Sequence, residues 1–179
     1  MKPSTPEPTD SNELLSDFTA ILAHALAERA QGRGCLPDLL GLDAKALARL
    51  GARWFPGRTL PDLDRPLAPM PPDQQAIALM IRWRGGAISE ESYWLAQILA
   101  RRSMEARHLW EDLGLPDRPR LSRMIARELP RLFAANSRNM RWKRFFYRQI
   151  CSDAGGSMCL APNCDDCPEK PLCFGPDAG

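Results

Sequence analysis

The sequence predicts an all-α protein, a compact helical domain that carries a C-terminal cysteine-rich metal-binding loop. Apolar residues recur every three or four positions in successive segments, as expected for buried helix faces. Ser, Asp and Pro stand where these segments would begin, and Gly stands where several would end. No segment alternates apolar and polar residues and β-branched residues are few, so we predict no strand.

The first third of the chain predicts two helices after a polar tail. Residues 1–9 are rich in proline and are expected to be disordered. A helix is expected from Asp10, where Glu13 completes a capping box, to the glycines of "QGRG". Its apolar stripe is Leu14, Leu15, Phe18, Ile21, Leu22, Ala25 and Leu26. A second helix is expected after Asp43, with Leu47, Leu50 and Trp54 on one face.

A proline-rich connector then separates this helical hairpin from the rest of the chain. It runs over residues 56–72 and contains six prolines, which disfavour regular helix. We expect it to pack in part through its apolar residues, Leu60, Leu63, Leu67 and Met70. The predicted organisation is a tail at 1–9, a hairpin at 10–55, the connector at 56–72, a helical core at 73–151 and a cysteine-rich segment at 152–179.

The core should begin with two helices of clear polarity. The first is predicted from Asp73 to Arg84, with Pro72 in its first turn. Ser89 then caps a helix whose first turn is acidic and whose last turn is basic, an order that suits the helix dipole. Its buried stripe is Trp94, Leu95, Ile98 and Leu99.

Three further helices are predicted towards the C-terminus. "RHLWEDLGLPD" predicts a short helix that ends at a glycine and a proline. "RPRLSRMIARELPRLFAAN" predicts a longer helix with a kink at Pro130. The last helix is expected from about Asn139 to Cys151.

Composition and charge place few limits on function. Hydrophobic residues make up 44% and charged residues 26%, which is ordinary for a soluble globular protein. A net charge of +2 argues neither for nor against nucleic acid as a partner. The N-terminus lacks the basic and apolar regions of a signal peptide, and no apolar run is long enough to span a membrane. We therefore expect a cytoplasmic protein without membrane partners, in which thiols stay reduced.

Four of the six cysteines fall within the C-terminal stretch "MCLAPNCDDCPEKPLCFG". The ligand candidates are Cys159, Cys164, Cys167 and Cys173, separated by four, two and five residues. One interpretation is an iron–sulfur cluster, since the first two spacers match part of a plant-type ferredoxin pattern. A second is structural zinc, although zinc sites usually pair two short hairpins across a longer spacer. Disulfides are a third, which a reducing compartment disfavours.

Two other residues, Cys151 and His108, are candidates for metal binding. Cys151 lies eight residues before Cys159 and is either a buried helix-end cysteine or a fifth ligand. His108 has acidic neighbours, yet a lone histidine is more often structural than a ligand. Cys35 and His24 are distant in sequence and are expected to be structural.

The helix before the cysteines, "NMRWKRFFYRQIC", separates aromatic from basic residues. An apolar stripe contains Trp142, Phe145, Phe146, Gln149 and Ile150, which we expect to face the core. A second face carries Arg141, Arg144 and Arg148. This basic face is either a solvated surface or a binding site for an anion or acidic partner beside the cysteines.

This aromatic and basic helix, followed by the four-cysteine pattern, resembles the NifQ family of nitrogen-fixation proteins. "HLWEDLGLPDR" and the tryptophan-bearing helix before it are similar to the same family, so that the resemblance covers about Ser89 to Gly175. The four cysteines match the family pattern one for one, and Cys151 matches the cysteine that ends the aromatic helix.

The resemblance implies a molybdenum-handling protein of diazotrophic bacteria. It implies an iron–sulfur centre that binds molybdenum, a Mo–Fe–S cluster, as the molybdenum source for the iron–molybdenum cofactor of nitrogenase. The implied partners are the nitrogenase iron protein and the cofactor-assembly scaffold. Molybdate is a hard dianion that would need a cationic approach, and the three arginines of the basic face are our candidates for it.

No catalytic triad, phosphate loop or paired-acid site is visible in the sequence, so we expect a metal carrier rather than an enzyme. One alternative is a helical DNA-repair glycosylase, some of which end in a four-cysteine loop. The chain lacks the glycine-rich hairpin turn that such enzymes use on DNA, and we expect no nucleic acid partner. Another alternative is a zinc-stapled interaction module, which would be colourless where an iron–sulfur protein is brown.

Overall fold

The computed structural model describes residues 8–86, 88–153 and 170–174, and this part of the chain is helical without any strand. The all-α prediction is confirmed for these residues. The helices are α1 (Pro8–Ala30), α2 (Leu36–Leu40), α3 (Ala44–Trp54), α4 (Pro72–Gly85), α5 (Glu90–Arg102), α6 (Leu109–Asp112), α7 (Arg118–Glu128), α8 (Pro130–Ala135), α9 (Trp142–Asp153) and α10 (Lys170–Phe174). Over the described ranges, no helix combines the length and apolar character needed to cross a bilayer.

Helix α5 forms the centre of the molecule. It begins as predicted at Ser89, whose Oγ accepts a hydrogen bond from the backbone N–H of Ser92 at 3.0 Å. The predicted stripe of Trp94, Leu95, Ile98 and Leu99 is buried, and so are Ala96 and Ala100 on the opposite side. Helices α2, α3, α4 and α6 pack around it, which explains why α5 is buried or partly buried from Ser92 to Arg102.

A buried carboxylate joins α1 to α7. Asp17 is 1% exposed and accepts from Arg120 Nε at 2.6 Å and from Arg127 Nη2 at 2.7 Å. A carboxylate removed from water needs such partners, and two guanidinium groups from one neighbouring helix supply them. This pairing fixes the position of α7 against the N-terminal helix.

The connector between α3 and α4 packs only in part. Leu60 is buried against Gly51 of α3, whereas Leu63 is 36% exposed and Leu67 and Met70 are partly exposed. The short helix α2 was not predicted, because five residues are too few to show a helical period.

The predicted single helix with a kink at Pro130 is wrong. Leu129 adopts φ −137° and ψ 57°, so α7 ends at Glu128 and α8 begins separately at Pro130. Proline disfavours helical geometry in the residue before it, and here that preference breaks the helix completely.

The predicted start of the last helix at Asn139 is also wrong. Asn139 has φ 53° and lies in a tight turn, and α9 begins at Trp142. The turn is closed by the buried amide of Asn136, which donates to Met140 O and accepts from Met140 N, each at 2.9 Å. An asparagine in the left-handed region is compatible with this turn but not with a helix.

Candidate metal centre and the adjoining cationic pocket

The last motif cysteine lies at the N-terminal end of α9. Cys173 belongs to α10 and is buried, and its carbonyl accepts from the backbone N–H of Arg141 at 2.8 Å. The Arg141 side chain donates from Nη1 to Leu172 O at 3.2 Å. Two hydrogen bonds thus dock α10 against the residue that precedes α9. The other motif cysteines, Cys159, Cys164 and Cys167, lie outside the described residues, so the cysteine-rich loop stays a prediction.

Cys151 lies at the opposite end of α9, in its last turn, and is partly buried. At a rise of 1.5 Å per residue, it is about 15 Å along the helix axis from the end where Cys173 docks. Two thiolates bound to one zinc ion cannot be more than about 4.6 Å apart. The structure therefore does not bring Cys151 and Cys173 together at a single ion, and the role of Cys151 as a fifth ligand stays a prediction.

The remaining cysteine and the first histidine lie away from this region. Cys35 precedes α2, and burial raises the pKa of its thiol. His24 lies 3.5 Å from Glu28 in α1, and burial lowers the pKa of its imidazole. In the ranges 8–86, 88–153 and 170–174, no three His, Cys, Asp or Glu side chains converge as a metal site would require.

A pocket opens directly beside α10, and we call it the cationic pocket. Its volume is about 170 Å³, several times the roughly 30 Å³ that one water molecule occupies in the liquid. Its cationic lining residues are Arg107, Arg118, Arg141, Lys143 and Arg144. Its remaining described lining residues are His108, Leu109, Trp110, Leu121, Trp142 and Leu172, with no carboxylate among them.

Buried Asp112 holds the two sides of the cationic pocket together. Its Oδ2 accepts from Lys143 Nζ at 2.6 Å, and its Oδ1 lies 3.3 Å from Arg107 Nε. Lys143 also donates to Glu105 O at 2.6 Å. These contacts fix the first turn of α9 against the segment that leads into α6.

A second anchor comes from α7. Arg118 Nη2 donates to Asn139 O at 2.7 Å, in the turn that precedes α9. Trp142 Nε1 donates to Ser122 Oγ at 3.1 Å, which adds a further link between the two helices. The guanidinium of Arg118 is thereby held at the pocket wall by a neutral carbonyl group.

The structure divides the three arginines of the predicted basic face. Arg141 and Arg144 line the cationic pocket, whereas Arg148 lines a separate groove together with Arg138. Arg148 Nη1 lies 3.8 Å from Met140 Sδ in that groove. Arg148 is one helical turn beyond Arg144, about 6 Å farther along α9.

The predicted aromatic stripe is confirmed where α9 meets the core. Trp142, Phe145 and Phe146 are at most 4% exposed, while Gln149 and Ile150 are partly exposed. Arg107 and Arg118 were not predicted as site residues. They come from segments more than twenty residues before α9, and only the fold places them beside it.

His108 also lies at this pocket. Its backbone N–H donates to Glu111 Oε2 at 3.0 Å and so begins α6, while the residue itself is one of the pocket walls. The acidic neighbours of His108 in the sequence do not predict this position, and its role as a metal ligand stays a prediction.

The described donor is suited to a thiolate-bound centre. Cys173 is buried, and the adjacent pocket wall is cationic. Positive charge nearby stabilises thiolates and a negatively charged cluster ligated by them. The predicted set of four thiols would be soft, which would favour iron, zinc and reduced molybdenum over hard cations.

Comparison with known proteins identifies relatives over most of the chain. A family model described as NifQ matches residues 21–175. "Protein NifQ" of Rhodobacter capsulatus is 62% identical over 88% of this chain and 87% of its own length. "Protein NifQ homolog" of Sinorhizobium fredii is 37% identical over 90% of this chain and 72% of its own. "Protein NifQ" of Azotobacter vinelandii is 36% identical over 86% of both chains. No solved structure matches this chain.

Proposed function

The chain belongs to the NifQ family, which implies a role in nitrogen fixation and molybdenum handling, and on that premise we propose that it supplies molybdenum for the iron–molybdenum cofactor of nitrogenase. In this proposal molybdenum is held with iron and sulfide at the C-terminal cysteines. The protein acts as a carrier in the cytoplasm, without catalytic turnover of its own.

The observation that carries this proposal is the four-thiol pattern joined to α9, with its last cysteine docked beside a cationic pocket. We assign Cys159, Cys164, Cys167 and Cys173 as the ligands of an iron–sulfur centre that takes up molybdenum. Thiolates and sulfide are soft ligands that suit both metals. When bound, the centre would supply coordination sites that the protein alone does not offer to molybdenum.

A carrier must also release its cargo, so one ligand of the centre should be held less firmly than the others. We assign this role to Cys173, which follows the longest spacer of the pattern. It belongs to a helix of five residues that docks through two hydrogen bonds from Arg141. A small movement of α10 would change the position of this thiolate without altering the helical core.

The recipients in this proposal are the nitrogenase iron protein and the scaffold on which the cofactor is assembled. A centre held by α10 and the cysteine-rich segment before it suits transfer to another protein, because the helices of the core need not open. The proposal involves neither a nucleic acid nor a membrane partner.

Metal analysis of anaerobically purified protein tests the ligand assignment. We expect iron, sulfide and molybdenum in the wild-type chain, a brown colour and a paramagnetic iron–sulfur signal. Replacement of Cys159, Cys164 or Cys167 by serine should remove both metals. Cys173→Ser should lose molybdenum more than iron, and Cys151→Ser, at the far end of α9, should retain both.

Two results would contradict these assignments. Zinc in place of iron in a colourless wild-type protein would exclude the iron–sulfur centre. Equal loss of iron and molybdenum in all four motif variants would exclude a special role for Cys173.

A further inference from the structure

We propose that the cationic pocket binds molybdate as a tetrahedral oxyanion beside Cys173, before its molybdenum enters the cysteine-ligated centre. The identity of the anion rests on the proposed function, whereas the binding chemistry rests on the pocket itself. The site comprises Arg107, Arg118, Arg141 and Arg144, with Lys143 and His108 at its edge.

The charge of the pocket favours an oxyanion. Five cationic side chains line it among the described residues, and the buried carboxylate of Asp112 pairs with two of them, Lys143 and Arg107. A guanidinium group presents N–H donors in a planar fork that fits two oxygens of one anion at once. Four such groups from three parts of the chain surround one small cavity, an arrangement that fits an anion with oxygens pointing in several directions.

Helix α9 adds to this preference. Its first turn contributes Trp142, Lys143 and Arg144 to the pocket wall, and the helix has twelve residues. The N-terminus of such a helix carries a partial positive charge and favours anions. The positive end of the α9 dipole and the arginines therefore both attract an anion into the cationic pocket.

Packing holds the pocket in shape. Arg118 and Arg141 donate to the carbonyls of Asn139 and Leu172, and Lys143 is fixed by buried Asp112. An apolar part of the lining, which includes Trp142 and Leu121, borders these charged groups. Because these groups are held before a ligand arrives, binding would require little ordering of side chains.

The position of the pocket connects it to the centre. Leu172 is part of its wall, and the next residue is Cys173. An anion bound here lies beside the helix that carries the last cysteine, so the oxyanion site and the thiolate site share α10. The size of the pocket, about 170 Å³, favours molybdate over an acidic peptide, because a peptide would need an extended surface.

Calorimetric titration of sodium molybdate into the metal-free full-length protein tests the proposal. We expect saturable binding that weakens as salt is raised. The variant Arg107→Gln/Arg144→Gln should bind at least about tenfold more weakly, since each change removes a hydrogen-bond donor with full charge. The matched control is Arg138→Gln/Arg148→Gln, which removes the same charge from the neighbouring groove and should change affinity less than about twofold.

Further outcomes decide the proposal. If the double variant does not fold, Arg144→Gln alone should still weaken molybdate binding at least about threefold, which is half of the expected tenfold loss of affinity on a logarithmic scale. No binding by the wild-type chain, or equal loss in both double variants, would overturn the pocket assignment. Displacement of molybdate by equimolar sulfate would overturn its preference for molybdate, and binding of an acidic peptide without molybdate would overturn the oxyanion site altogether.

The same titration separates this proposal from the proposed function. The Cys164→Ser protein should bind molybdate like the wild-type chain, even though it should hold no metal centre. If the chain binds molybdate but never acquires iron, the pocket proposal stands and the proposed iron–sulfur centre is excluded. If the protein has normal iron and molybdenum content but its metal-free form does not bind molybdate, the proposed centre stands and the pocket proposal is excluded.

Discussion

Asp62 joins the proline-rich connector to the ends of two helices. Its carboxylate accepts from Arg29 Nε at 2.6 Å and Nη2 at 2.8 Å, at the end of α1. It also accepts from the backbone N–H of Leu36 at 2.9 Å, in the first turn of α2. The hydrogen bonds from Arg29, followed by that from Leu36, lower the pKa of Asp62 to about 2.

This depressed pKa predicts the pH dependence of an Asp62→Asn variant. The folded carboxyl has a lower pKa than the unfolded one, near 3.9, so its contribution to stability is complete above about pH 4 and disappears as pH falls through about 2. We expect the variant to melt below the wild-type protein at pH 7 and the two melting temperatures to converge near pH 2. Asparagine tolerates the φ of 62° at this position, so backbone strain should not contribute. A constant difference in melting temperature from pH 7 to pH 2 would show that the ionised carboxylate is not the cause.

Gly114 lets the turn after α6 lie against α1. Its φ is +69°, and a Cβ at this position would lie 2.8 Å from His24 Cγ and closer still to His24 Cβ. Gly32 has a similar φ of +74°, but no atom lies within 4 Å of its would-be Cβ. Both glycines therefore require a left-handed backbone, but only at Gly114 does a neighbouring helix, α1, leave no room for a Cβ.

The pair predicts two different costs for alanine. Gly32→Ala should reduce the free energy of unfolding by about 1–2 kcal/mol through the left-handed backbone alone. Gly114→Ala should lose about 1–3 kcal/mol more, because the new methyl group displaces α1. Urea unfolding of both variants measures the difference. Equal midpoints would mean that α1 and the turn separate without cost, contrary to the packing described.

The elements show which features of the fold can be predicted from sequence. A cap at Ser89 and a helix start after Asp43 were predicted, and both side chains accept N–H groups from the first turn, because capping depends on residues three positions apart. The break before Pro130 and the turn at Asn139 were wrongly assigned to helices. At Asn139 the decisive contacts are the two local hydrogen bonds between the buried Asn136 amide and the Met140 backbone, and one such side-chain contact leaves no periodic signal.

At the scale of the whole molecule, the two parts of the candidate site differ in how they can be found. The four cysteines are predicted as ligands because metal ligands on one short segment have a characteristic spacing, and this part of the site stays a prediction. The cationic pocket was only half visible, since Arg141 and Arg144 belong to the predicted basic face but Arg107 and Arg118 do not. Four separate segments of the chain meet there, held by Asp112 and by the docking of α10, and no local pattern encodes that meeting.

The described helices form a platform with α5 at its centre, and in the proposed function this platform presents the cysteine-rich segment that would hold molybdenum. Burial of the aromatic face of α9 fixes this helix to the core, and its N-terminal end carries both the pocket and α10. In the proposed function, these helices would stay folded while molybdenum is exchanged.

Transfer of radiolabelled molybdenum tests the central claim most directly. The protein is loaded with labelled molybdenum, freed of unbound molybdate, and incubated anaerobically with the nitrogenase iron protein, the assembly scaffold and a reductant. We predict that label moves from this chain to the scaffold, and that the same amount of free molybdate transfers less of it. Label that stays on the chain, or transfer from free molybdate that is equally efficient, would contradict the proposed role as a molybdenum donor.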